Sequence, residues 1–412
     1  MARPSLLRTT TLLTGAHLGG VLLSFLEIPI LARGLGAHAY GQLVWLQAVG
    51  LMAALGIEYG FNMSALRQLA VAAPAERPAT AARLWASVTL AKGVLSAAVL
   101  PMVVLAVWGG AHTPPSLWWA SLLFALSFGF SPFWLLQGLD RVGSAVALDT
   151  GARMLGLLLL WVFIDSPQDL ALAIWIMAGA SGCATLLTMG LAWRLAGRGA
   201  WQWAPALQEI RSGWHVFVYR SAGNLMLSST VAVLGAVAGP AAVAVYAPAE
   251  KLFKGVVGLT GPLMTALLPH LSQQFAQGRG APAARQLLLG LGAAGTLAAL
   301  LLSLLGPQLL TLLLGPSFAN ASGLLTAMAW LIPLRLLTQG LGTGMLIPAG
   351  QDRAASLTLI ACSLLGLALG ALLAHWLAAP GMLAGVMLAE VVLLACLLGH
   401  ARGHQLLVWR RP

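Results

Sequence analysis

The sequence predicts an all-α polytopic membrane protein with about twelve transmembrane helices, arranged as two six-helix bundles that are parallel repeats around a central cavity. Three observations predict the class. The 412-residue chain is 59% hydrophobic and only 8% charged, with a mean hydropathy of +0.88, whereas a soluble domain carries roughly 25% charged residues. Apolar runs of about 20 residues recur from end to end, each long enough to cross ~30 Å of hydrocarbon. The arginines also fall on alternate connections between those runs, as membrane topology requires.

The first run, 10–32, follows Arg3 and Arg8 and ends at Arg33. Ala37-His38-Ala39 supplies an A-x-A, but the run is too long for a signal-peptide core and contains Glu27 and Pro29, so it reads as a retained span. The second, 41–66, returns to a connection bearing Arg67, Arg77 and Arg83. Spans 84–108 and 116–137 lead to Arg141, and spans 147–165 and 170–194 to Arg194, Arg198 and Arg211. Spans 214–236 and 243–269 lead to Arg279 and Arg285, and spans 285–305 and 321–347 to Arg353. The last pair, 355–376 and 381–400, ends at Arg402, Arg410 and Arg411. With the N-terminus inside, fifteen arginines lie on cytoplasmic segments and only Arg33 lies outside. That asymmetry sets both termini in the cytoplasm and explains the +11 net charge as a topology signal rather than a nucleic-acid footprint. The longest connections, near 195–213 and 270–285, leave no room for a soluble catalytic domain.

A duplication is readable. A shift of 206 residues aligns Tyr40 with Tyr246, Ala70 with Ala276, Pro101 with Pro307 and Gly109 with Gly315. Farther on, "WLLQGLDR" matches "RLLTQGL", and "GLDR" at 138–141 echoes "GQDR" at 350–353. A shift of six helices preserves orientation, so the halves, 1–205 and 206–412, are parallel repeats.

Charged residues within spans carry the chemical information, because each costs roughly 2.5–3.5 kcal/mol at mid-bilayer on insertion scales. They are Glu27, Glu58, Lys92, Arg153, Arg220, Glu250, Lys251, Lys254, Arg335 and Glu390. Arg153 follows Asp149 by four residues, the spacing of a local pair. Arg335 and Glu390 fall near mid-span, out of snorkelling reach. Arg220, Asn224 and Ser228 form a polar stripe at i, i+4, i+8, and Arg335 and Lys92 have Gln339 and Ser96 at i+4. One reading is salt bridging between helices that only fixes packing. The other is a water-filled cavity, favoured because six cations outnumber four glutamates and the surplus suits an anionic ligand such as phosphate.

Other patterns point to no chemistry. "GLGAAG" at 290–295 fits G-x-G-x-x-G but lies inside a span with no βαβ context. Glycine pairs such as Gly15/Gly19, Gly366/Gly370 and Gly381/Gly385 suit close helix packing. His400 and His404 have metal spacing without acidic or cysteine company, and Cys183, Cys362 and Cys396 have no ligand spacing, so no metal or cofactor is expected. Nothing assembles into a hydrolytic triad, and the sequence carries no enzyme signal.

The stretch "EIPILARGLGAHAYGQ" (27–42) resembles the exit of the first helix in bacterial polysaccharide-unit flippases, the O-antigen type of the multidrug/oligosaccharidyl-lipid/polysaccharide (MOP) exporter superfamily. "GIEYGFNMSALRQLA" (56–70), "SPFWLLQGLDR" (131–141) and "VAVYAPAEKLFKGVVGLTGPLMTALLPHLS" (243–272) follow in that family's order. The second half departs from the pattern, with Pro240 and no arginine where the first half has "LARGLG". The resemblance implies two six-helix bundles around a cationic cavity in a bacterial cytoplasmic membrane. It implies a transporter, not an enzyme, that carries an undecaprenyl-diphosphate-linked oligosaccharide from the cytoplasmic to the periplasmic leaflet by alternating access.

On that reading Lys92, Arg220, Lys251, Lys254 and Arg335 contact diphosphate or sugar acids, with Arg33 and Arg67 near the cavity mouths. Glu58, Glu250 and Glu390 serve H+ or Na+ coupling or pair with the cations. Polysaccharide polymerase machinery is a further expected partner. The alternatives are a lipid II-type flippase, a cation-coupled multidrug exporter, whose cavity would be dominated by carboxylates and aromatics, and a membrane glycan polymerase or ligase, which would need a large external loop.

Overall fold

A computed structural model of the chain describes residues 6–109, 114–197, 199–277 and 279–403, and among them no strand occurs. Arg3, Arg198, His404, Arg410 and Arg411 lie outside the described residues, as do the side chains of Arg8, Arg220, Asn224 and Ser228. The helices are α1 Leu6–Glu58, α2 Phe61–Val71, α3 Arg77–Gly109, α4 Pro115–Phe130, α5 Phe133–Gly138, α6 Val142–Phe163 and α7 Leu170–Ala196. They continue as α8 Trp203–Gly258, α9 Thr260–Ala276, α10 Gly280–Leu314, α11 Ser322–Ala329, α12 Leu331–Leu341 and α13 Asp352–Gly403. Nine described segments are long and apolar enough to cross a membrane, so the protein is a multi-pass membrane protein. In such a protein every backbone group must be satisfied within the segment, which leaves helices as the solution here.

Twelve crossings are compatible with those segments because three helices exceed 50 residues and each contains one non-helical residue. The breaks are Gly36 (φ 71°, ψ 171°) in α1, Gly239 (φ 79°, ψ 174°) in α8 and Ala378 (φ 53°, ψ −130°), two residues before Pro380, in α13. Gly36 and Gly239 occupy a region essentially reserved for glycine, and a Cβ at either would meet nothing within 4 Å. Glycine is therefore required there by torsion, not by crowding. Their matching geometry is compatible with the duplication, as are Pro101 inside α3 and Pro307 inside α10.

A second parallel comes from two turns. After α5, Arg141 N–H reaches Leu136 O (2.7 Å) and Asp140 N–H reaches Gln137 O (3.1 Å). Before α13, Gln351 N–H reaches Leu346 O (2.8 Å) and Gly350 N–H reaches Ile347 O (2.9 Å). Both are Schellman closures around a left-handed residue, Asp140 (φ 59°) in one and Gly350 (φ 78°) in the other. The turns thus match Asp140 to Gly350, two residues away from the Asp140–Asp352 match that the "GLDR" and "GQDR" strings suggest.

The chain divides into two compact units, Met1–Ser221 and Ala222–Pro412. In the first, Phe61, Leu69, Trp85, Trp134 and Leu136 form a buried cluster to which Ala206 and Phe217 of α8 also belong or pack. That packing explains why α8 begins at Trp203, inside the segment expected to be a connection. Ser121 of α4 donates to Leu46 O of α1 (2.9 Å), and a Cβ on Gly50 would strike Phe124 Cβ at 2.7 Å. In the second unit Leu341, Met345, Leu393 and Leu397 pack together. There a Cβ on Gly385 would stand 2.3 Å from Gly370 N, so the two halves of α13 meet backbone to backbone, the close approach that small residues permit in lipid.

Candidate functional site

The second unit gathers four of the charged residues singled out within spans. Arg335 projects from α12, where the helix carries Arg335, Thr338 and Gln339 just before a π-helical turn at Gly342–Leu346. Such turns interrupt regular bonding and concentrate at functional sites. Arg335 Nη1 donates to both oxygens of Glu390 on α13, at 3.3 and 3.5 Å. The Thr338 hydroxyl bonds Glu390 Oε1 and lies 3.0 Å from Arg335 O. Glu390 is only 1% exposed, while the Arg335 side chain retains 14%.

One helix away, Glu250 and Lys254 of α8 pair at 2.7 Å across one turn. Glu250 is buried, whereas Lys254 is about one-third exposed. Tyr246, one turn before Glu250, is buried as well. Tyr246, Glu250, Arg335 and Glu390 line one crevice with Thr230 and Val386, enclosing about 330 Å³ of space that includes open solvent. Thr260 donates to Gln339 Oε1 at 2.9 Å beside it. Each carboxylate therefore has a cation at hand, and each cation keeps some access, an arrangement that lowers the cost of charge at membrane depth without sealing it off.

In the first unit Lys92 is 2% exposed and its Nζ donates to Ser131 O at 3.1 Å. Ser131 caps α4 at the break before Pro132, so its carbonyl is one that no helical N–H reaches, at the negative end of the α4 dipole. Glu58 is buried at the end of α1 and accepts the Asn62 N–H (3.1 Å), satisfying an open donor in the first turn of α2. Arg33 and Arg67 are exposed, and Lys251 is half-buried on α8. The side chain of Arg220 falls outside the described set. Arg153 pairs with Asp149 as its spacing suggests, Nε to Oδ2 at 2.9 Å. Thr338 and Thr230 were not singled out in the sequence; Thr338, at i+3 from Arg335, carried the signal.

Buried charge on helices that cross the bilayer repeatedly defines a multi-pass membrane protein with a polar interior. The fold is that of the MOP exporters. The structure resembles an inward-facing multidrug resistance MATE family transporter of that superfamily (TM-score 0.71, 17% identity, 94% of this chain and 95% of the other). It also resembles the lipid II flippase MurJ in an inward closed conformation (TM-score 0.74, 9% identity, 94% and 87%). Along the sequence, the family described as "Polysaccharide biosynthesis protein" matches residues 6–275, and the chain belongs to that family. Relatives bearing the name "Putative O-antigen transporter" include one from Escherichia coli (strain K12), 26% identical over 98% of both chains. Another, from Shigella dysenteriae, is 24% identical over 93% of this chain and 96% of its own.

Proposed function

We propose that the protein is a flippase for undecaprenyl-diphosphate-linked oligosaccharide units, moving them from the cytoplasmic to the periplasmic leaflet of the bacterial cytoplasmic membrane, with both termini cytoplasmic. One observation carries the reading: Arg335 lies in a segment long and apolar enough to cross a membrane, ion-paired to Glu390 and lining a crevice, on a chain that matches a relative bearing the O-antigen transporter name over 98% of its length. A diphosphate headgroup cannot cross ~30 Å of hydrocarbon without compensating charge. A guanidinium supplies that charge with a planar, forked donor geometry suited to phosphate.

Alternating access then exposes the compensated site to each leaflet in turn. Lys92, Arg220, Lys251, Lys254 and Arg335 are the cations assigned to the ionic headgroup, with Arg33 and Arg67 at the approaches. Glu250 and Glu390 are assigned to H+ or Na+ coupling, because each already faces a cation that a substrate phosphate would claim. Glu58 is the third carboxylate assigned to ion coupling or charge pairing, and it accepts the Asn62 N–H at the α1–α2 junction. Arg335→Ala is expected to abolish export of lipid-linked glycan while protein still accumulates in the membrane. Normal export by that variant would remove Arg335 from the site. Deleting the gene should leave a lipid-linked glycan stranded on the cytoplasmic face, and its identification names the cargo.

A further inference from the structure

The first unit contains a second polar crevice, built from three helices and one helix break. Ser131 and Phe133 flank the break between α4 and α5, Asp149 and Arg153 come from α6, and Thr185 and Thr188 from α7. It encloses about 510 Å³, open solvent included. Ser131 lies seven residues before the end of α5, Asp149 seven after the start of α6, and Thr188 eight before the end of α7. Those ends lie on one side of the unit because successive helices run antiparallel. At 1.5 Å per residue the crevice is about 11 Å inside them, the depth of a headgroup entering from the arginine-rich side.

Its chemistry is particular. The Thr185 hydroxyl donates its single proton to Ser127 O (2.8 Å), and that of Thr188 goes to Ala184 O (2.8 Å) or Thr185 O (3.0 Å). Both hydroxyls therefore offer lone pairs to the crevice. Asp149 adds a carboxylate, and Arg153 is the donor, with its Cζ 5.5 Å from the centre of the Phe128 ring. Asp149 and Arg153 compensate each other, which disfavours an anion and a cation alike. What remains is a neutral ligand rich in O–H or N–H donors, with an apolar face for Phe133.

We propose that this crevice is a subsite for a neutral sugar ring, a hexose or N-acetylhexosamine of the transported headgroup. The proposal rests on the flippase reading and deepens it: the ionic part of the cargo meets the cations, and an uncharged sugar meets Asp149, Arg153, Thr185 and Thr188. Vicinal hydroxyls would donate to Asp149 and the threonines and accept from the Arg153 Nη groups.

The test is saturation-transfer NMR on the purified full-length protein in detergent, with methyl hexopyranosides and N-acetylglucosamine as probes and inorganic diphosphate and sodium chloride as rivals. Asp149→Asn and Thr188→Val should each weaken sugar binding about tenfold, the loss of one good hydrogen bond. Thr188→Val orphans no backbone group, so it stands as the structurally gentle variant. Arg335→Ala should leave the sugar signal unchanged. Absence of a sugar signal, or one indifferent to both crevice variants, overturns the proposal, as does a sugar signal that diphosphate or sodium chloride abolishes in the wild type but not in Asp149→Asn. Export assays separate the two readings. An Asp149→Asn protein that exports as well as an active wild type removes the subsite and leaves the flippase. A wild type that exports nothing removes the flippase, and the sugar titration still decides the crevice.

Discussion

The two units stabilise a buried cation in different ways. In the first, Lys92 is held by a backbone carbonyl at the Ser131–Pro132 break; in the second, Arg335 is held by the carboxylate of Glu390 and steadied through Thr338. A main-chain carbonyl carries no titratable charge and is not removed by substituting the residue that bears it. A carboxylate can take up a proton and can be displaced by a competing phosphate. The contrast is one of chemistry: the acceptor named for Arg335 is an acid on another helix, and the acceptor named for Lys92 is main chain.

Glu390→Ala should produce the largest effect. It strands a buried guanidinium, and truncating one partner of a buried pair costs about 3–5 kcal/mol; thermal unfolding of the detergent-solubilised protein should show a lower midpoint, and Glu390→Gln a smaller drop. A Glu390→Ala protein as stable as wild type would break the comparison. Lys92→Met keeps the volume but leaves the Ser131 carbonyl without its side-chain donor, a loss of about 1–3 kcal/mol. If it instead matched Glu390→Ala in cost, the two cations would be doing the same work. Gly36→Ala and Gly239→Ala should each cost about 1–3 kcal/mol from torsion alone, and nearly equal losses would sharpen the case that the units descend from one ancestor. The smallest effect belongs to Asp140→Gly. It relieves a left-handed aspartate and gives up only an exposed contact to Arg77 at 4.0 Å, so a gain of under about 1 kcal/mol is expected, read as a slightly raised midpoint.

The all-helical membrane fold was legible because lipid demands long apolar runs, and those runs are plain in the sequence. The sequence predicts about twelve crossings, and the structure is compatible with them because Gly36, Gly239 and Ala378 each interrupt a long helix at a single residue. The Lys254–Glu250 and Arg153–Asp149 pairs follow from i, i+4 spacing. The Arg335–Glu390 pair does not, because 55 residues separate its members and only packing of α12 on α13 brings them together. The polar crevice of the first unit was invisible for a similar reason. It depends on a helix break at Ser131 and on where two threonine protons point, neither of which a hydropathy pattern records. The paired turns add a different lesson: matching letters set Asp140 against Asp352, while the main-chain hydrogen bonds give Asp140 and Gly350 the same place in their turns.

The distance between Arg335 and Glu390 along the chain also has a temporal meaning. Ribosomes add about 5–20 residues per second, so for several seconds the nascent protein holds its arginine in place before the glutamate has been made. During that interval the guanidinium lacks its carboxylate partner. Synthesis of α13, whose two halves touch at Gly370 and Gly385, supplies the carboxylate and completes the pair.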